Sequence, residues 1–401
     1  MQPTLMPPSA PGVRDDRIDA LRGFALLGIL LVNIQSFLYG ATNPIGYLTP
    51  AASAADRAAF FATAAFINVK FMPLFAMLFG VGFSLLYAKL LTLTSTPKKV
   101  YRRRMAFLFV FGLVHGIFFY FGDITQMYAV AGLVLLIYVE RNAAGVARAA
   151  RNWWLGTGLF TVLVYLLAGP AATLTSADLE EMQRNFAIFS GARYLDQLRT
   201  RAGEFGELIA GNFFGLPLTV ALMLTGMLAH RAGWLTDRNA RVWRSARVIG
   251  LLVGLPAAIV YGWQMLFNAE SYGLAMTPHA STLPMMFSVA LALFYASAFM
   301  QWAPRSWVTA LAPAGRMPLS NYLLQSIAMG ALLSGWGLAL GPQLSYWQTS
   351  AVALMVFVVQ VLISRLWLGA LQMKQGPLEA LWRAWTYHGL QEGSTESRTA
   401  G

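Results

Sequence analysis

Ten runs of about 15 to 25 predominantly apolar residues, bounded by charges or by Gly/Pro turns, set the terms on which this chain can fold. A helix rises 1.5 Å per residue, so a run of this length crosses a hydrocarbon layer of about 30 Å with its backbone hydrogen bonds made internally. The runs are 24–39, 71–90, 105–121, 124–139, 153–167, 208–228, 246–267, 283–302, 319–340 and 347–371. Charged residues make up 11% of the chain and hydrophobic residues 57%, whereas about a quarter of an ordinary soluble domain is charged. The expected fold class is therefore all-α, a polytopic membrane helical bundle of about ten transmembrane helices.

The same reading divides the chain into a disordered tail over 1–16, a transmembrane helical domain over 17–371 and an interfacial helix with its tail over 372–401. No small-residue cleavage site follows the first apolar run, so it is expected to be a retained span. One long external segment, 171–206, mixes acids and bases as amphipathic helices do. The run 58–91 would be roughly 50 Å long as one helix, too long for a simple crossing, and a break is expected near Pro73.

Basic residues outnumber acidic ones, 29 to 17, and they gather in alternate loops, notably 98–104 and 231–247. That distribution marks the cytoplasmic side of the membrane and puts both termini there. The expected partner is the lipid bilayer; no nucleic-acid partner is inferred. There is no Cys, which excludes disulfides and thiolate catalysis, and the four His are scattered, so no metal is inferred.

Polar residues within the runs are the candidates for chemistry. Taking Asp19 as zero on a helical wheel, Arg22 falls at about −60° and Asn33 at about −40°, so all three share one face. Asp19 and Arg22 lie at the cytoplasmic mouth and Asn33 roughly 15 Å deeper. The stripe either leads inward to a polar cavity, or Arg22 snorkels while paired with Asp19 and Asn33 bonds a neighbouring helix. Arg104 and His115 repeat the pattern at a spacing of roughly 16 Å, with Gly112 and Gly116 opening room beside the imidazole.

Asn68 and Lys70 fall at mid-depth if their segment is a helix from Arg57, and Lys70 snorkels outward if it is re-entrant. Ala76, Gly80 and Ser84 form a small-residue stripe suited to helix packing. Asp123 and Gln126 have the spacing of a capping box, with Asp123 available to an external mouth. Arg316 precedes a span on which Asn321 and Gln325 share a face, placed either to bind a polar ligand or to bond between helices.

The stretches RIDALRGFALLGILLVNI (17–34), KFMPLFAMLFGVGF (70–83), RRRMAFLFVFGLVHG (102–116) with GDI after it, GRMPLSNYLLQS (315–326) and GPLEALWRAWTY (376–387) resemble, in order and content, the YeiB family of bacterial inner-membrane proteins. That family is similar in fold to the transmembrane acyltransferase superfamily, which includes heparan-alpha-glucosaminide N-acetyltransferase. The superfamily resemblance implies a membrane-embedded His and transfer of an acyl group from cytoplasmic acyl-CoA or acetyl-CoA to a small-molecule, lipid or glycan acceptor.

Combined with the polar stripes, this predicts an intramembrane polar cavity in which Arg22, held by Asp19, and Arg104 bind donor phosphates. His115 is the expected general base, with Asn33 and Lys70 stabilising the oxyanion. Asn68, Asp123, Arg316, Asn321 and Gln325 are the further substrate-binding candidates. A carrier of an anionic metabolite or amphipathic lipid is the alternative class.

Overall fold

Each apolar run forms helix in the computed structural model, which describes residues 16–40, 48, 52–167, 176–237, 239–270 and 284–388; no strand occurs among them. Five helical stretches are long and apolar enough to cross a membrane: Asp16–Ser36, Ala54–Leu93, Arg241–Phe267, Pro284–Trp302 and Tyr346–Ala370. The outward faces are apolar, with Leu159, Leu167 and Leu252 each more than 70% exposed, while His115, Asp123 and Gln126 are buried inside. This inversion of the soluble pattern is that of a helical membrane bundle.

The first helix, α1 (Asp16–Ser36), starts eight residues before the apolar run, because Asp16 and Asp19 suit an amino-terminal turn. The 58–91 run is interrupted as expected, but at Asn68–Lys70, not at Pro73. Helix α2 (Ala54–Ala62) passes through a π-helical turn, Thr63–Ile67, and the chain reverses its twist at Val69 (φ 57°) before α3 (Phe71–Leu93) begins. Pro73 sits in the first turn of α3, where its missing N–H has no partner to lose.

Then follow α4 (Pro97–Phe118), α5 (Thr125–Leu135), α6 (Ala143–Leu167), α7 (Ser176–Ser190), α8 (Tyr194–Phe214) and α9 (Leu216–Arg231). The expected span over 208–228 is divided at Gly215 between α8 and α9. Helices α10 (Arg241–Ile249) and α11 (Leu255–Glu270) join through a π-helical turn. They precede α12 (Ala290–Trp302), α13 (Arg305–Arg316), α14 (Pro318–Leu333), α15 (Tyr346–Arg365) and α16 (Pro377–Tyr387). Of the expected tail over 1–16, residues 1–15 lie outside the described residues and Asp16 begins α1; residues 389–401 lie outside them as well.

Close backbone crossings fix the cavity walls. A Cβ on Gly80 would stand 1.8 Å from the Met223 carbonyl oxygen, and one on Gly226 would stand 1.8 Å from that of Met77, so α3 and α9 touch main chain to main chain. The Ala76/Gly80/Ser84 stripe thus lies in a helix contact, where Ser84 Oγ also meets His230 Nδ1 at 2.9 Å. Gly23 and Gly315 bring α1 and α13 together in the same way.

Candidate functional site

A cavity of about 930 Å³ lies among α1, α3, α4, α14 and α16. Arg22, Lys89, Arg104, Arg316, Lys374 and Arg383 line it, and Glu379 is the one acid on its wall among the described residues. These cations come from the start of α1, the end of α3, the start of α4 and the segment around α16, which meet at one end of the bundle. Toward the other end Leu26, Ile29 and Phe75 make the wall apolar, with Asn33 and Asn68 supplying amides. The hydroxyls of Tyr101 and Thr157, both on this wall, are buried without a hydrogen-bond partner among the described residues. Buried polar atoms of that kind are normally satisfied, so these two are exceptions beside the cavity.

The cations differ in how far the protein neutralises them. Arg22 Nη1 donates to Asp19 Oδ1 at 2.9 Å and to the Gly315 carbonyl at 3.2 Å. Arg316 is bound by Asp16 and lies 3.5 Å from Asp19 Oδ2. Asp19 therefore ties Arg22 to Arg316, a link that helix geometry alone gave only for Arg22. Arg104 has no carboxylate at ion-pair distance among the described residues; instead its guanidinium carbon lies 3.5 Å from the ring centroid of Trp382. A guanidinium stacked in this way keeps its N–H edges open for oxygen acceptors.

Trp382 belongs to α16, read from sequence as an interfacial anchor. In the fold it is a wall of the cavity. Trp382 Nε1 donates to the Arg104 carbonyl at 2.9 Å and Trp385 Nε1 to that of Arg103 at 3.1 Å. Glu379 reaches the start of α14, accepting from the N–H of Leu319 at 2.7 Å, the N–H of Ser320 at 3.1 Å and Ser320 Oγ at 2.5 Å. A carboxylate there satisfies amides that have no partner within the helix and complements the helix dipole. Sequence reasoning passed over Glu379, although its place one turn into a helix with Pro at its start was visible.

His115 lies just off the cavity wall. Its Nδ1 is 2.8 Å from Asp123 Oδ2 and its Nε2 is 2.9 Å from Ser326 Oγ. All three residues are 2% exposed or less. Asp123 comes within reach because the chain reverses right after α4: the N–H groups of Phe119 and Tyr120 both return to the His115 carbonyl at 2.9 Å. Its carboxylate also accepts from the N–H and hydroxyl of Thr125, each at 2.7 Å, and from the Tyr322 hydroxyl. An imidazole that donates from Nδ1 to the carboxylate would leave Nε2 to accept from the Ser326 hydroxyl. Tyr322 lines the cavity, and its ring centroid is 4.7 Å from that of His115.

The expected capping box at Asp123 is not formed. Gln126 Nε2 donates to the Asp123 carbonyl at 2.7 Å, and the Asp123 side chain is committed to Thr125 and His115, because the turn presents its carbonyl instead of its N–H. Lys70, expected at an oxyanion, does not line the cavity. The reversal at Val69 turns its ammonium to the Ala64 carbonyl, 3.1 Å away. Asn68 does line it and donates to Tyr261 Oη at 3.0 Å.

Asn321 and Gln325 are also away from the wall and bond between helices. Asn321 donates to the Ala314 carbonyl and Ser364 Oγ, and Gln325 to the Leu26 carbonyl and Gln360 Oε1. Of the candidate residues, the cavity gathers Arg22, Asn33, Asn68, Arg104 and Arg316; Asp19 and His115 support it from behind.

Residues 229–389 match the family model described as a protein of unknown function, DUF418, a stretch that includes Ser326, Glu379 and Trp382. Over 93% of its length the chain is 29% identical to the uncharacterized protein YeiB of Escherichia coli (strain K12), covering 96% of that protein. It is 25% identical to the uncharacterized protein YxaH of Bacillus subtilis (strain 168), with 94% of the chain and 96% of the relative aligned. A third relative, an uncharacterized 39.9 kDa protein in the amylase 3' region of Bacillus acidopullulyticus, is 28% identical with 96% of each covered. No solved structure matches the chain. The chain is thus similar from end to end to YeiB and these relatives, and its carboxy-terminal part matches the DUF418 family model.

Proposed function

We propose that the chain is a bacterial inner-membrane acyltransferase that takes an acyl group from acyl-CoA, acetyl-CoA being the simplest, and passes it to a hydroxyl or amine acceptor at or across the membrane. One observation carries this reading: a cavity cationic at one end reaches a wall, at Tyr322, behind which a buried imidazole is paired with a carboxylate on one nitrogen and a hydroxyl on the other. In this proposal the cationic end faces the cytoplasm. Arg104, Arg22 and Arg316 hold the donor phosphates there, and Trp382 keeps Arg104 flat against the wall. The acyl chain lies against Leu26, Ile29 and Phe75.

His115 then removes the proton of the attacking group, with Asp123 fixing the tautomer and stabilising the imidazolium. Asn33, which has no side-chain hydrogen bond of its own among the described residues, offers its amide to the developing oxyanion. Lys70 has no part in this scheme, since its ammonium is committed to Ala64. The carrier alternative rests on the helix interruption at Asn68–Lys70, the kind of discontinuity that lines transporter sites.

His115→Gln separates the two. Loss of a general base lowers rate by about 10²- to 10⁴-fold and leaves ground-state binding in place. The acyltransferase reading requires a folded His115→Gln protein that binds acyl-CoA and transfers at that reduced rate. Full transfer by the variant would remove His115 from the chemistry. Ligand flux in reconstituted vesicles, with no transfer by the unaltered protein, would establish the carrier.

A further inference from the structure

The geometry points to Ser326 as a nucleophile that carries the acyl group as an ester between donor and acceptor. The inference rests on the acyltransfer reading and adds a covalent step to it. Ser326 lies one turn beyond Tyr322 on α14, so the two share a face, and Tyr322 is already on the cavity wall. The hydroxyl is 2.9 Å from His115 Nε2, while His115 Nδ1 is 2.8 Å from Asp123. Nucleophile, base and orienting carboxylate thus stand in hydrogen-bonded sequence, the arrangement that activates a serine in unrelated folds.

A buried polar trio within a bundle is costlier than an apolar one unless every member is satisfied, and here each is satisfied by the next. Tyr322 screens the trio from the cavity, and a swing of its ring, which lies 4.7 Å from the imidazole, opens Ser326 to a thioester.

The steps balance without an oxidant or reductant. Ser326 Oγ bonds to the thioester carbonyl carbon as its proton passes to His115 Nε2. The carbon–sulfur bond then breaks, and CoA leaves as the thiol with that proton. In the second half, the acceptor hydroxyl or amine gives its proton to His115 and attacks the serine ester. The ester bond breaks, and Ser326 recovers the proton.

The chain has no Cys, so an acyl label on it cannot be a native thioester. The full chain in detergent would be incubated with radiolabelled acetyl-CoA and, separately, palmitoyl-CoA, then denatured and mapped by peptide mass spectrometry. The expected result is a label on Ser326 that resists neutral hydroxylamine. Ser326→Ala should abolish it, and His115→Gln should slow its formation by about 10²-fold or more. Ser326→Cys should convert it to a label that neutral hydroxylamine removes, a change that no structural role of the residue would produce.

Transfer to acceptor with no labelled intermediate, at a rate unchanged in Ser326→Ala, overturns the covalent step and leaves direct transfer standing. Absence of both acyl-CoA binding and transfer overturns the acyltransfer reading itself, and the covalent step with it.

Discussion

The guanidinium carbon of Arg104 lies 3.5 Å from the ring centroid of Trp382, and the indole N–H of the same Trp382 donates to the Arg104 carbonyl at 2.9 Å. Two segments nearly three hundred residues apart in sequence thereby form one surface at the cationic end of the cavity. If this surface holds phosphate, Arg104→Ala should weaken CoA binding by about 10- to 150-fold, the equivalent of a charge-assisted hydrogen bond of about 1.5–3 kcal/mol. Trp382→Ala should cost about 2- to 30-fold through the lost stacking. The exposed Arg383 should matter by threefold or less, roughly as a screened charge does. Calorimetry of the three variants in detergent checks the order, and equal losses would reduce the mouth to unspecific charge.

Glu379 ties α16 to the start of α14, so Glu379→Ala should loosen the helix without disturbing the rest of the bundle. The expected loss is about 1–2 kcal/mol, in the range of a helix cap. Limited trypsin digestion should then cut at Arg383 much faster than in the unaltered protein. A variant with unchanged cleavage would show that the indole contacts suffice to dock α16.

Gly80 and Gly82 lie on one helix and should respond in opposite ways. A methyl at Gly80 meets the Met223 carbonyl at 1.8 Å, whereas one at Gly82 has no atom within 4 Å. Gly80→Ala should reduce the folded fraction recovered on size-exclusion chromatography, since only main-chain movement relieves the clash. Gly82→Ala should be recovered like the unaltered protein, or gain up to about 1 kcal/mol from helix propensity. Equal behaviour of the two would contradict the crossing of α3 and α9.

Sidedness is open to direct chemical test because the native chain has no thiol. Lys99→Cys, beside the basic cluster, should react with a membrane-impermeant maleimide only after cells are permeabilised. Arg193→Cys, at the start of α8, should react in intact cells. Labelling of both from the same side would invert or shorten the proposed topology.

The helices were legible in the sequence because a membrane demands long apolar runs, and the Arg22 and Arg104 stripes were legible because both residues sit on straight helices with a countable rise. His115 stood out for the same reason. A straight helix would hold Asp123 about 12 Å from it, and it arrives at 2.8 Å because the chain folds back at Phe119 and Tyr120. Ser326 gave no signal, since a serine in a span usually bonds its own helix. Lys70 is turned away from the cavity because a left-handed Val69 interrupts the helix from Arg57 along which its depth is counted. Helix α13 escaped notice because its amphipathic sequence is neither a span nor a loop.

The main-chain contact of α3 with α9 has a mechanical consequence. Two helices seated carbonyl against glycine cannot slide without parting, so they behave as a stiff plate forming one side of the cavity. Compliance in that wall is concentrated where α3 begins, at the π-helical turn and the left-handed Val69, a conformation a β-branched residue resists. A rotation of α3 about that point would carry Asn68 with it, and the glycine seam would oblige α9 to follow.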